Sequence, residues 1–352
     1  MKTLLVTGGA GFIGSQFVRQ RLAQGDRIIN VDLLTYASNL SALHEFENYN
    51  SHIFVKGNIG DCELIEQLLF EYLPETIVHF AAESHVDRSI DNSTDFITTN
   101  IVGTHQLLVT SNKYWQNLST ELKKNFRFIH ISTDEVFGSL GSTGTFCETT
   151  SYDPHSPYSA SKAASDHLVR SWYHTFALPT IITNCTNNYG PYQFPEKLIP
   201  MLISAALNNQ PLPIYGEGTN IRDWLYVDDH CSAIDKVISE GIPGETYCIG
   251  GKSERSNLEV ALAICNSLDS LAPREDGKPH KNAIKFVPDR PGHDFRYAMD
   301  ITKIQTKLGW EPIIKFEDGL HNTVRWYIHN QSWWKELRKK VYDGKRLGIS
   351  LV

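Results

Sequence analysis

The chain has 352 residues, 41% of them hydrophobic and 21% charged, with a formal net charge of −7. That length favours two domains or one large α/β unit over a single small core, and the acidic balance excludes the basic face that nucleic-acid binding requires. Its six cysteines include no C-x-x-C pair, which argues against a zinc ribbon or a disulfide framework.

The N-terminal residues run straight into a strand, without a charged n-region, apolar h-region and cleavage site. No later stretch reaches about eighteen consecutive apolar residues, so no membrane contact is expected and the reading is a cytoplasmic protein. Residues 3–7 form an apolar run that ends in Gly8-Gly9-Ala10-Gly11-Phe12-Ile13-Gly14, and a helical pattern follows to Ala23. Gly8 suits a tight turn. Gly11, with Phe12 and Ile13 behind it, lets backbone N–H groups approach a pyrophosphate, and Gly14 lets the helix pack closely. A second strand, 27–32, ends in Asp32, about twenty residues beyond the glycines, where a carboxylate accepts hydrogen bonds from an adenosine ribose. No arginine follows in Leu33-Leu34-Thr35-Tyr36 to receive a 2′-phosphate, so the pattern favours NAD over NADP.

Strand, helix and strand recur at 53–57, 62–72 and 76–80, an alternation that predicts a parallel, doubly wound sheet. Ala81 and Ala82 then let a flat cofactor lie against the backbone, and Ser84 and His85 face the substrate. A helix over 94–115 carries Asn100 within reach of that turn. It leads to Phe128-Ile129-His130-Ile131-Ser132-Thr133-Asp134-Glu135, an apolar strand that ends in a hydroxyl and two adjacent carboxylates. Strand neighbours point to opposite faces, so Asp134 and Glu135 serve one substrate only if the strand stops and the chain turns there. Crowded carboxylates also push their pKa values apart, which suits one acid and one base.

Ser156 is a good N-cap and Pro157 suits the first helical position, which places Tyr158 and Lys162 four residues apart on one face. An ammonium beside a phenol favours phenolate; moving a tyrosine from ~10 towards ~7 requires about 4 kcal/mol.

Residues 180–184 read as another strand and 187–191 as a loop leaving the sheet for a substrate domain. Pro213, Ile214 and Tyr215 form a rigid extended segment along which a base lies, and Arg222 offers a fork for a diphosphate. Asp228-Asp229-His230 reads as a helix cap rather than a metal site, so no metal is expected. Asn257 starts a helix and is placed for phosphate. The tail from Asn322, with Trp326, Trp333 and Trp334 among cations, predicts an amphipathic closing helix rather than a nucleic-acid surface.

On the glycines, Thr133-Asp134-Glu135 and Tyr158-x-x-x-Lys162, the chain resembles the extended short-chain dehydrogenase/reductase family, and within it the nucleotide-sugar 4,6-dehydratases, over residues 1 to 325. Sugar-nucleotide 4-epimerases of that family carry small or hydroxyl residues where this chain has Asp134 and Glu135. The resemblance implies a Rossmann-type doubly wound parallel sheet over 1–185, with 220–240 returning to it, a smaller C-terminal α/β sugar-nucleotide domain over 186–325 and a helical tail over 326–352.

It also implies a nucleoside-diphosphate hexose substrate, dTDP-glucose first and a UDP- or GDP-hexose as the alternative. Thr133, Asp134, Glu135, Tyr158 and Lys162 carry the chemistry. Asn188 lies near NAD, and Asn187, Lys197, Leu198, Arg290 and His293 at the sugar nucleotide. Asn58-Ile59 stands where the family commonly places Asp-Ile against adenine. The resemblance implies a homodimer joined through the helices at about 94–115 and 158–174. The competing readings are a 4-epimerase and a non-catalytic NAD sensor.

Overall fold

The computed structural model describes residues 1–289 and 292–340. The first half has the alternation expected from the sequence: β1 (Thr3–Thr7), α1 (Phe12–Ala23), β2 (Arg27–Asp32), β3 (His52–Lys56), α2 (Cys62–Tyr72), β4 (Thr76–His79) and α3 (Val86–Asp91). The next helical stretch is not uniform. A π-helical segment, Ile97–Gly103, precedes α4 (Thr104–Asn117), where the sequence predicts one regular helix. β5 (Arg127–Thr133) passes at once into a 3-10 turn, Asp134–Phe137. α5 (Pro157–Phe176) begins with Ser156 as N-cap in a capping box and Pro157 in its first turn.

β6 (Thr180–Cys185) is followed by β7 (Asn187–Tyr189), where a loop is expected from the sequence, then by α6 (Leu198–Leu207) and β8 (Leu212–Tyr215). β9 (Ile221–Tyr226), α7 (Val227–Glu240), β10 (Thr246–Ile249), β11 (Glu254–Ser256), α8 (Asn257–Leu271) and β12 (Ile284–Val287) come next. α9 (Thr302–Leu308), α10 (Phe316–His329) and α11 (Gln331–Lys340) complete the order. Asp228 and Asp229 lie inside the first turn of α7, whose N-cap is Tyr226, so the capping expectation fails. Asp229 Oδ2 instead accepts from the backbone of Ile313 and Ile314, and Asp228 from Gln16.

Seven strands form one sheet in the order β10-β6-β5-β4-β1-β2-β3, and every pairing in it is parallel. Such strands are buried on both faces by helices and read as nearly continuous apolar runs; Leu4, Leu5, Val6, Ile28, Ile29, Ile77, Val78, Phe128 and Ile129 are fully enclosed. Chain order reverses between β1 and β4, and in open α/β sheets ligands bind beyond the strand ends at such a switch point. β7, β9 and β11 make a three-stranded sheet, and β8 pairs with β12. These pack with α6, α8 and α10 around a second core that contains Tyr189, Leu202, Ile264, Val324 and the fully buried Trp334. No described helix is long and apolar enough to cross a membrane.

Candidate active site

A cleft of about 310 Å³ opens at the switch point. Its floor is the glycine turn after β1. Gly8 has φ +72°, and a Cβ there would lie 2.5 Å from the backbone nitrogen of Ala81; a Cβ on Gly14 would lie 2.2 Å from Gly8 O. Only glycine leaves this cradle open. Gly11 is the N-cap of α1, so the helix end carrying Phe12 and Ile13 faces the cleft with its first N–H groups, as an anion requires. Asp32 closes β2 against the turn: Oδ2 accepts from Ala10 N at 2.9 Å, and Oδ1 from Leu34 N and Ser38 Oγ, both at 2.8 Å. Asn58, Ile59, Ala81 and Ala82 complete this half of the lining. Asn58 Oδ1 accepts from Gly60 N at 2.8 Å in a tight local turn.

The other half holds Ser84, Thr133, Asp134, Glu135, Tyr158, Lys162, Asn187, Asn188 and Lys197. The 3-10 turn after β5 directs the consecutive side chains of Thr133, Asp134 and Glu135 towards one space. Thr133 Oγ1 donates to Asp134 Oδ1 and accepts from Glu135 N, each at 3.2 Å, and it also hydrogen-bonds the Tyr158 phenol. Asn184 Nδ2 holds the strand end through Thr133 O at 3.0 Å. Asp134 is 2% exposed, and its Oδ2 has no hydrogen-bond partner among the described residues. Burial and the neighbouring Glu135 charge push the Asp134 carboxyl well above its ordinary value, against a smaller opposing pull from Arg222. A carboxyl raised in this way is suited to act as a proton donor.

Tyr158 and Lys162 share a helix face beside this turn. Burial, then the Glu135 charge, raise the Tyr158 phenol well above its usual value. Lys162 Nζ donates to Ile131 O at 2.9 Å and lies 3.4 Å from His130 Nε2. Asn100, as expected, meets the turn after β4, exchanging hydrogen bonds with the Glu83 backbone at 2.9 and 3.0 Å; it also donates to Ser161 Oγ at 2.8 Å.

Several expected substrate contacts lie outside the lining of this cleft. His85 is buried as N-cap of α3, with Nε2 3.9 Å from Glu196 Oε1. Leu198 opens α6, and Ile214 is buried in the second core, so that only the flanks of Pro213 and Tyr215 remain partly exposed. The Arg222 fork, expected at a diphosphate, donates to the Ile221, Asp294 and Phe295 carbonyls and stacks 4.2 Å from the Tyr297 ring centre. His293 Nδ1 pairs with Asp289 at 2.6 Å and its ring meets Tyr215 edge-on. Asn257 opens α8 with Ser256 as cap. Arg290 lies outside the described residues.

Sequence reasoning passed over Glu83, Ser132, Cys185 and Gln193, all of which line the cleft. It also passed over Asp166, whose signal was its spacing of four residues beyond Lys162. Lys197 Nζ donates to Ser84 O at 3.1 Å, and Asn187 Oδ1 is buried with no hydrogen-bond partner among the described residues.

The sequence profile of the family described as GDP-mannose 4,6 dehydratase matches residues 5–323. A dTDP-glucose 4,6-dehydratase of Xanthomonas campestris pv. campestris (strain B100) is 55% identical over 351 residues, covering all of both chains. The crystal structure of dTDP-glucose 4,6-dehydratase from Bacillus anthracis in complex with NAD superimposes with a TM-score of 0.86 at 45% identity, over 96% of this chain and 100% of that one. The Streptomyces venezuelae dTDP-glucose 4,6-dehydratase, solved with NAD and TYD bound, gives 0.87 at 44% identity over 95% and 99%. The chain belongs to the GDP-mannose 4,6 dehydratase family, among the dTDP-glucose 4,6-dehydratases.

Proposed function

We infer that this protein is an NAD-dependent hydro-lyase that converts dTDP-glucose to dTDP-4-keto-6-deoxyglucose and water. The observation that carries the reading is the 3-10 turn after β5, which presents Asp134 and Glu135 to the same cleft as Thr133 and Tyr158. The open glycine cradle and the Asp32 carboxylate fit a dinucleotide, and the relatives solved with NAD support that cofactor. NAD supplies the hydride acceptor at C4 and the hydride source for C6.

Tyr158 receives the proton of the 4-hydroxyl, and Thr133 orients that oxygen through the hydroxyl that already touches the phenol. Burial holds the phenol protonated in this state, so its activation falls to the Lys162 ammonium and the cofactor's positive charge. The 4-ketone acidifies C5. Glu135 removes that proton while the neutral Asp134 carboxyl protonates the departing 6-hydroxyl, and Glu135 later returns a proton to C5. The assignment of Asp134 as acid rests on its enclosure and its raised pKa.

Around the sugar nucleotide we place Asn187, Lys197 and Ser84 at the hexose and diphosphate, and Tyr215, Asn257 and His293 further along. A sugar-nucleotide domain is then built on β7 to β9, β11, α8, β12 and α10, while α9 packs with the first core. A second copy of the chain joins along the π segment, α4 and α5, where Ile97, Val102, Val109 and Phe176 are 43–49% exposed. The cytoplasm is the proposed location.

Substrate carrying deuterium at C4 tests the reaction class. The label is expected in the new 6-methyl group, with one solvent deuteron at C5 when the reaction runs in D₂O. Label recovered at C4 of an intact hexose would overturn the dehydratase in favour of a 4-epimerase, and binding of NAD without turnover would indicate a sensor.

A further inference from the structure

Behind the Tyr158–Lys162 face lies a buried polar cluster that the proposed reaction does not use. Lys162 is 4% exposed and Asp166, one helical turn further along α5, is fully enclosed. His130 Nε2 on β5 reaches both, 3.4 Å from Lys162 Nζ and 3.1 Å from Asp166 Oδ1. Asp166 Oδ2 in turn accepts from Ser132 Oγ at 2.8 Å, Tyr152 OH at 2.8 Å and Asn184 Nδ2 at 3.3 Å, and Arg170 donates to the same Tyr152 oxygen at 2.8 Å. Three donors on one oxygen describe a carboxylate built to stay ionised.

The groups facing the Lys162 ammonium are His130 from β5, His79 from β4, Cys185 from β6, and Tyr158 and Asp166 from its own helix. Burial lowers the His79 and His130 imidazoles, the latter to about 4, and raises the Cys185 thiol, so these three are neutral at pH 7. The Tyr158 phenol is also held protonated by its burial. Asp166 is left as the negative charge. A buried ammonium without a counter-charge gives up its proton instead of remaining ionised.

We propose that Asp166 is a positioning residue for Lys162: from one turn along the same helix its charge holds the ammonium under the β5 end, where Lys162 Nζ donates to Ile131 O, and keeps it protonated while Tyr158 works. Burial alone lowers the lysine, and the Asp166 charge opposes that shift. The inference rests on the oxidation role given to Tyr158 and Lys162. It also accounts for a fully buried carboxylate that stands outside the lining of the cleft.

Asp166→Asn keeps the size and removes the charge. The Lys162 proton is then lost at lower pH, so the alkaline limb of the pH profile for substrate-dependent NAD reduction moves down by about one unit, a ~10-fold loss on that limb. Asp166→Glu, which restores the charge, is expected to return the limb towards its original position. A uniformly scaled profile with unmoved limbs would show a merely structural residue and overturn the proposal.

A thermal-unfolding cycle supplies a readout independent of turnover. Lys162→Met alone leaves Asp166 without its neighbouring cation and Asp166→Asn alone leaves the buried ammonium without a counter-charge, whereas the double variant removes both charges, so its loss of Tm should be smaller than the sum of the two single losses. Additive losses would overturn the pairing even if Asp166→Asn proves too unstable to assay. If the wild-type chain fails to oxidise the sugar while the cycle still shows coupling, the functional reading falls and the charge coupling between Asp166 and Lys162 stands.

Discussion

Asp134 and Glu135 are neighbours in the chain but not in environment: Asp134 is enclosed at 2% exposure with one carboxyl oxygen unpartnered among the described residues, while Glu135 is partly exposed and raises the Asp134 pKa by its charge. In the unfolded chain Asp134 ionises near ~3.9. In the folded chain it stays protonated well above that, so its protonation favours folding at low pH and the benefit is lost as pH rises towards the folded value. Asp134→Asn removes this dependence. Its Tm relative to wild type is expected to climb steadily from about pH 4 upward, while dehydration falls by ~10²–10⁴ for want of the acid. A Tm difference that is flat across that range would contradict the raised pKa.

Glu135→Gln separates the two halves of the reaction. The variant keeps Thr133, Tyr158 and Lys162 and should still reduce bound NAD on mixing with substrate, with dehydrated product slowed by ~10²–10⁴. Stopped-flow absorbance of the reduced nicotinamide, followed by product analysis, reads both steps. Dehydration at the wild-type rate would remove Glu135 from the mechanism.

Asp32→Ala takes away a carboxylate that already organises Leu34 N, Ser38 Oγ and Ala10 N around the ribose end of the cleft. Hydrogen bonds to a charged group contribute about 1.5–3 kcal/mol, which corresponds to roughly 10- to 100-fold weaker NAD binding. Isothermal titration calorimetry with NAD measures it. Efficient turnover with NADP but not NAD by the wild-type chain would reverse the cofactor assignment.

Val102→Asp with Val109→Asp places charge on exposed apolar positions of the π segment and α4, 46% and 45% accessible. A self-association surface there predicts a shift from dimer to monomer in multi-angle light scattering, with the thermal transition of the fold itself little changed. An unaltered mass would dismiss this surface.

Much of the cofactor half was legible because its signals are local. A strand, a glycine turn, a helix and Asp32 lie within thirty-two consecutive residues, and Ser156-Pro157 announces the helix that carries Tyr158 and Lys162. The features that escaped are long-range. The return of β10 to the sheet beside β6 depends on a pairing across more than sixty residues, Ile182 with Thr246. The direction of the Arg222 fork is set by carbonyls at Asp294 and Phe295, and that of Asp229 by the backbone at 313 and 314. Asp166 carried only the spacing of four beyond Lys162; its meaning comes from His130, Ser132 and Tyr152, again brought together only by folding.

The π-helical turn at Ile97–Gly103 makes the residue count of this helix matter more than its side chains. A π turn holds about one residue more than an α turn, and such turns recur at functional sites. Deleting one residue there would remove the extra residue of the bulge and let the stretch relax to regular α-helix, with the residues on either side keeping nearly their present orientation. Tyr114 would keep its buried place with its hydroxyl on Pro74 O. Asn100 would swing away from Glu83 and Ser161, releasing the turn that borders the cleft. A single-codon loss within the bulge would thus fall on the Asn100 contacts at the cleft while leaving the buried face of α4 in place.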